Sequence, residues 1–329
     1  MSVARWTDPR TITEAHAWLR EAVERAGRRV SGAIEQPHVR PWSTVFRAPT
    51  DRGTVYLKLC GPSQAHEPAL TTLLSTAAPA LVPEILGIHP REPWMLLADG
   101  GDKLRDVVGP SERLDVWIDV LPQYALLQRS LLGHEDAIRA TGTPDHTLAR
   151  LVADFAVVLD DEQVLAPSAA TFDGAARQRL LALLPAIEAS ATELASSGIG
   201  PTIQHDDLHD ANVLLRGGRA VVFDWGDASL THPFLSLGVA LEASADRAGI
   251  ATDHPSITRL RDAYLEPWSA SLPRPGLTQA AALGSRLSTL TRALSWHRVV
   301  TLNDGAMNAE PEMVGRYLSQ VLEAFDHDA

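Results

Sequence analysis

The sequence predicts an α+β chain of two lobes, a small antiparallel-sheet lobe followed by a larger, mostly helical one. Short β-like runs dominate the first hundred residues, long Leu/Ala-rich stretches dominate the rest, and the texture changes at the connection Asp99-Gly100-Gly101. At 329 residues, with 45% hydrophobic and 21% charged residues, the chain is long enough for a sizeable core and for two domains. The expected division is residues 1–98 and residues 99–329.

Taken in order, Ile12, Ala15, Trp18, Leu19, Ala22, Val23 and Ala26 fall at three- and four-residue spacing and stop at Gly27, which predicts an amphipathic helix. The runs Val45–Ala48 and Thr54–Leu59, separated by PTDRG at residues 49–53, predict an antiparallel hairpin. A helix over about residues 64–77 and short strands at 84–88 and 94–98 complete the first lobe. The second lobe reads as helices over 114–132, 147–158, 175–195, 235–248, 256–268, 278–300 and 312–325. It carries one embedded hairpin, VLLRGGRAVVF, in which Gly217-Gly218 turns between two β runs.

Composition excludes several classes. A single cysteine, Cys60, allows no intramolecular disulfide and no thiolate metal cluster, so a reducing cytoplasm is the expected compartment. Residues 1–10 carry charge with no apolar stretch after them, which predicts no secretory signal. No apolar run approaches the roughly 20 residues of a membrane helix. A formal net charge of -12 argues against a nucleic-acid surface and favours cationic or neutral small partners.

The chemistry gathers around the embedded hairpin. Before it stands His205-Asp206-Asp207-Leu208-His209-Asp210-Ala211-Asn212, and after it Asp224-Trp225-Gly226-Asp227. A hairpin brings its ends together, so Asn212 and Asp224 should lie side by side as oxygen ligands, and magnesium commonly takes only one or two such protein ligands. Asp207 is then free to orient an acceptor hydroxyl and accept its proton.

The block HDDLHDAN, the eleven residues between Asn212 and Asp224, and the following DWGDA resemble the catalytic and metal-binding segments of aminoglycoside phosphotransferases and related choline and homoserine kinases. The resemblance spans about Val39 to Glu242 and implies the bilobal protein-kinase-like fold, ATP (or GTP) with Mg2+, and a small-molecule hydroxyl acceptor. It implies Asp207 as catalytic aspartate, Asn212 as metal-binding asparagine and Asp224 as the aspartate bridging metal and phosphates. Lys58, in TVYLKL, and Glu67, opening the next helix, stand in the order of the kinase lysine and its glutamate partner. Residues 94–100 look like the interlobe strand and hinge, with the backbone of Leu96 and Ala98 at adenine.

The chain departs from the family in two places. Asp206 stands where glycine is common, and is expected to point away from Asp207. The stretch Val39–Val45 has no glycine, leaving Ser43 and Thr44 as candidate phosphate donors. Asp227, Glu242, Asp262, Glu266 and the segment Trp296-His297-Arg298 are candidates for the acceptor pocket, where acidic groups would suit an aminoglycoside or another amine-bearing compound. His205 and His209 read either as metal ligands or as packing beneath the loop. Antibiotic modification and a metabolic sugar or amino-alcohol kinase both fit the resemblance. The competing classes are a metal-dependent hydrolase using His205, Asp206, Asp207, His209 and Asp210, and a nucleotide-binding scaffold without transfer activity.

Overall fold

The computed structural model describes residues 3–326, which leaves the first two and last three residues of the expected lobes outside it. The chain opens with α1 (Ala4–Thr7) and the amphipathic α2 (Pro9–Arg25). Asp8 caps α2 by accepting from the Thr11 amide, and Pro9 takes the first position, where an N–H has no partner to lose. A five-stranded antiparallel sheet follows, built from β1 (Glu35–Arg40), β2 (Ser43–Thr50), β3 (Gly53–Cys60), β4 (Ile85–Ile88) and β5 (Trp94–Ala98), in the spatial order β1-β2-β3-β5-β4. α3 (Glu67–Ala77) lies between β3 and β4 in the chain. The predicted hairpin is β2–β3, with a turn tighter than expected because Thr50 already pairs with Gly53. Nothing in the sequence pattern announces β1. Its residues EQPHVR lack alternation and include a proline, which an exposed edge strand tolerates.

Side chains alternate across β3, and this sets its two jobs. Leu57 and Leu59 pack with Trp18, Leu19, Val23, Phe46 and Leu96 in a core closed by α2. Lys58, between them, reaches instead to α3.

Beyond β5 come β6 (Asp102–Lys103), α4 (Leu104–Val107), α5 (Pro110–Ser130), α6 (Glu135–Ala140), α7 (Leu148–Asp160), α8 (Glu162–Leu165) and α9 (Gly174–Ala195). Next are β7 (Thr202–Gln204), the hairpin β8 (Val213–Arg216) and β9 (Arg219–Val222), and β10 (Ser229–Thr231). The chain ends with α10 (Leu237–Ala248), α11 (Pro255–Leu265), α12 (Arg274–Leu302), α13 (Ala306–Ala309) and α14 (Met313–Asp326). The seven long helices expected here are α5, α7, α9, α10, α11, α12 and α14. α12 is buried on most sides and packs against α7, α9, α10 and α14, as a helix at the centre of a core must. The same core takes Leu70 and Leu74 of α3, which binds that helix to the second lobe.

Gly101 governs the junction. It adopts φ 103, and a Cβ there would sit 2.1 Å from the Leu215 carbonyl oxygen, so only glycine lets the connection lie on β8. β6 then pairs with β8, Lys103 opposite Leu214, and sets the embedded hairpin against the meeting of the lobes. Among the described residues no helix is long and apolar enough to cross a membrane.

Candidate active site

Gly217 (φ 56) and Gly218 (φ 79) supply the two positive-φ positions that a type I′ turn demands. Val213 accordingly pairs with Val222, and the Phe223 amide donates to the Asn212 carbonyl at 3.1 Å. The hairpin ends carrying Asn212 and Asp224 therefore meet.

Asp224 adopts a left-handed backbone, φ 66 and ψ 59. Its Oδ1 lies 2.5 Å from Lys58 Nζ, which also sits 2.6 Å from Glu67 Oε2 and 2.8 Å from Oε1. Cys60 Sγ donates to Glu67 Oε2 at 3.3 Å. Burial alone would lower the Lys58 pKa, but Asp224 and Glu67 outweigh it and hold the ammonium above its ordinary value. Burial raises Glu67 against the pull of Lys58. For Asp224 burial again pushes up, but Lys58 prevails and the net shift is downward.

The loop before the hairpin is fixed from beneath. His205 Nδ1 accepts from the Asp207 amide at 3.3 Å and Nε2 donates to the Phe223 carbonyl at 2.9 Å, a packing role that burial supports by keeping the ring neutral. Asp207 Oδ2 accepts from Asn212 Nδ2 at 2.9 Å and lies 3.3 Å from His209 Nε2. Its Oδ1 lies 3.2 Å from Arg292 Nη2. Burial would raise the Asp207 carboxyl; Arg292, with His209, overcomes this and holds it well below the usual carboxylate range.

Asp206 has φ 62, a left-handed backbone of the kind that glycine adopts without strain. Its carboxylate turns away from Asp207 toward α12, accepting from Gln204 Nε2 and Thr291 Oγ1, both at 2.6 Å. Burial pushes this carboxyl up to about 7 in spite of Arg292. Asp210 turns elsewhere again, to Arg105 at 2.8 Å and Arg113 at 2.9 Å. Of the five residues of the hydrolase alternative, Asp207 and His209 meet each other while His205, Asp206 and Asp210 turn to the Phe223 carbonyl, α12 and two arginines, and among the described residues no three His, Cys, Asp or Glu side chains form a metal-binding group.

Arg292 escapes the sequence reading. It is 8% exposed and contacts Asp207, Asp227 Oδ2 at 3.3 Å, the Asp206 carbonyl at 2.8 Å and the Tyr317 hydroxyl at 3.3 Å. It stands among buried positions of a helix that also carries Arg274, Arg286 and Arg298, so nothing in the sequence sets it apart.

The Thr44 hydroxyl donates to the His38 carbonyl at 2.7 Å and accepts from Gln36 at 2.9 Å, so it is spent inside the sheet; Ser43, at the start of β2, is buried. The Ala98 amide donates to the Glu84 carbonyl at 2.9 Å, and Leu96 lies in register between Leu57 and Gly87 inside the sheet. Asp262 is engaged by Arg261 at 2.9 Å and Arg274 at 2.6 Å. Glu266 is exposed after α11, and Glu242 borders a shallow groove with Thr289, Gln320 and Glu323. None of these three acids touches Asp207 or Arg292, whereas Asp227 does reach Arg292.

The sheet lobe, the helical lobe and their order place the chain in the protein-kinase-like fold class. It belongs to the phosphotransferase enzyme family, whose sequence model matches residues 39–283. Among solved structures it is similar to a macrolide 2′-phosphotransferase from Brachybacterium faecium, with 20% identity, 92% of this chain and 97% of that chain covered, and a TM-score of 0.56. A choline kinase from Cryptosporidium parvum Iowa II is similar at 12% identity, 90% of each chain and a TM-score of 0.61. A spectinomycin phosphotransferase, solved with ADP and spectinomycin, is similar at 11% identity, 95% of this chain and 97% of that chain, and a TM-score of 0.51. At these identities the likeness establishes the fold. No curated protein matches the chain in sequence.

Proposed function

We propose that the chain transfers the γ-phosphate of ATP, or of GTP in its place, to a hydroxyl of a small molecule. In this reading Asp207 is the catalytic base, Asn212 and Asp224 hold magnesium, and Lys58, positioned by Glu67, holds the α- and β-phosphates. Residues 1–98 and 99–329 act as its two lobes, and the cytoplasm is its place of action. The observation that carries the proposal is Lys58 Nζ at 2.5 Å from Asp224 and 2.6 Å from Glu67, three charges from separate elements meeting at the junction. A lysine held this way is pre-positioned for phosphate oxygens.

The donor set suits magnesium. Asn212 Nδ2 is committed to Asp207, which leaves its Oδ1, and Asp224 Oδ1 is on Lys58, which leaves Oδ2. Both are hard oxygen donors. When bound there, magnesium would neutralise charge on the phosphates. The acceptor oxygen forms a bond to Pγ while the bond from Pγ to the ADP oxygen breaks, its electron pair leaving with ADP, and the hydroxyl proton passes to Asp207. The depressed basicity of Asp207 is compatible with this, because the transition state is loose and positioning outweighs base strength.

Screening ADP release over macrolides, aminoglycosides, sugars, sugar acids and amino alcohols identifies a working acceptor. On that acceptor, Asp207→Ala lowers kcat by roughly 10² to 10⁴ while Mg·ATP affinity stays nearly intact, and Asp224→Ala weakens Mg·ATP itself. Wild-type turnover in Asp207→Ala refutes the assignment.

A further inference from the structure

The face of the first sheet that carries Lys58 holds more positive charge than the proposed site uses. His38 pairs with Val45 and Val45 with Lys58, so these three side chains leave the sheet on one side. Arg40, two residues along β1, pairs with Ser43, and Ser43 with Cys60, whose thiol reaches Glu67 on that same side. β1 stands two strands from β3, roughly 10 Å away. His38 and Arg40 therefore extend the Lys58 face outward to the edge of the sheet.

The facing wall is basic as well. Lys103 on β6 lies opposite Leu214 on β8; Leu214 packs against Gly100 in the connection between the lobes, while its neighbour Val213 points into the helical core. Lys103 thus shares the side of the hairpin that looks toward the sheet lobe. Asp102 opposes Leu215 and takes the other side. Burial lowers the His38 imidazole most, and Asp224, Arg40, Lys58 and Lys103 are the charges that act on it, so the two walls border one opening. Asp224 reaches this opening with its side chain 43% exposed.

No acid answers the outer charges. His38, Arg40 and Lys103 are exposed, and among the described residues their side chains enter no ion pair and no hydrogen bond. Arg47, on the neighbouring strand, is by contrast met by Glu35, and Lys58 by Glu67 and Asp224. Like charges gathered at one opening disfavour one another, in a chain whose net charge is -12. An anionic ligand relieves them.

We infer that His38, Arg40 and Lys103 form a clamp for the nucleotide's polyphosphate, closing on it from the sheet edge and from β6. This rests on the nucleotide-binding part of the phosphotransfer reading. The clamp does with side chains what a glycine-rich loop does by covering the phosphates in protein kinases. Arg40 offers a planar fork, Lys103 a point charge, and His38 a ring N–H even when neutral, all suited to phosphate oxygens. Ser43 and Thr44, the donors expected in the glycine-free stretch 39–45, are buried, and the basic side chains of β1 take their place.

Binding of Mg·ATP, Mg·ADP and AMP is measured calorimetrically on the full chain, so the readout is independent of acceptor and turnover. Arg40→Met and Lys103→Met should each weaken Mg·ATP by roughly 10-fold or more, Mg·ADP by less and AMP least; adding His38→Ala should weaken Mg·ATP further. Arg40→Lys should recover part of the loss, and Arg40→Glu should exceed that of Arg40→Met. Unchanged Mg·ATP affinity in Arg40→Met or in Lys103→Met overturns the clamp. So does a loss equal for Mg·ATP and AMP, which marks displaced lobes or poor folding rather than lost phosphate contacts. A wild type that binds none of the three nucleotides refutes the phosphotransfer reading itself, whereas a wild type that binds them with unaltered variants refutes the clamp alone.

Discussion

Replacing Arg292 by Met removes the positive charge nearest Asp207 and should move the pH dependence of catalysis. The Nη2–Oδ1 separation is 3.2 Å and Arg292 is 8% exposed. At an effective dielectric of about 20, unit charges at that distance interact by roughly 5 kcal/mol, an upper figure; opposite charges this close ordinarily shift a carboxyl by about 1–3 pKa units. The sign follows from the direction already found. Asp207 is held below its ordinary value chiefly by Arg292, so it keeps its charge far into acid, and without Arg292 it takes up a proton at higher pH. The acid limb of kcat/KM should therefore move upward by roughly 1–3 units, with little change near pH 8. Stability should move too. A depressed carboxyl stabilises the fold above its unfolded pKa and loses that contribution as pH falls through its folded value. Arg292→Met forfeits much of this and leaves Asp207 and Asp227 without their cation, costing roughly 3–5 kcal/mol. Arg292→Lys, which keeps the charge without the fork, should leave the limb nearer its wild-type place. The assay is a pH profile of kcat/KM beside thermal unfolding on the same samples. A folded Arg292→Met whose acid limb stays put, with activity only scaled down, refutes the reasoning.

Asp206→Asn should remove a pH dependence of stability: with the folded carboxyl at about 7 and its ordinary value at 3.8, the native state holds a proton that the unfolded chain has lost, so wild-type Tm falls as pH rises between those values. A wild-type Tm that rises over that interval, or an unchanged slope in Asp206→Asn, contradicts this. Lys58→Met leaves Glu67 buried without its cation, at a cost of roughly 3–5 kcal/mol. Adding Glu67→Gln should recover part of the Tm but none of the Mg·ATP affinity, and recovery of nucleotide binding would remove Lys58 from the phosphates. Gly101→Ala places a Cβ 2.1 Å from the Leu215 carbonyl oxygen at positive φ, so Tm should fall by more than the roughly 1–2 kcal/mol of a left-handed residue alone. An unshifted unfolding curve would show that the junction is not packed as described.

What the sequence reveals is what is local. The Gly217-Gly218 turn, the β runs on either side of PTDRG and the order of Lys58 and Glu67 each lie within a few residues, and each leads to the contact expected of it. Positions that depend on partners far along the chain are hidden. Thr44 looks available until the pleat is known, because a shift of one residue decides which face a strand side chain takes, and here its hydroxyl closes on β1. Ala98 looks available until strand order is known, because β5 lies between β3 and β4 and its amide is already used. Arg292 has no local mark at all: it meets Asp207 only because α12 threads the centre of the helical core. Asp262 pairs with Arg261 and Arg274, and Glu242 and Glu266 are exposed, placements that depend on how their helices pack rather than on local pattern.

Among the described residues, the only non-glycine positions with positive φ are Asp206 and Asp224, and they stand on either side of the hairpin that forms the site. Each such residue costs on the order of 1–3 kcal/mol and persists only where its surroundings over-determine it. For Asp206 the determinants are Gln204, Thr291 and the Arg292 bond to its carbonyl; for Asp224 the determinant is Lys58. Arg292 thus secures the strained backbone of Asp206 and the charge of its neighbour Asp207 with one guanidinium. Glycine at position 206 would relieve the backbone but surrender the carboxyl that ties the loop to α12. Carrying aspartate there exchanges local strain for a fixed distance between the loop and the helix that bears Arg292, and with it a fixed place for the Asp207 carboxylate.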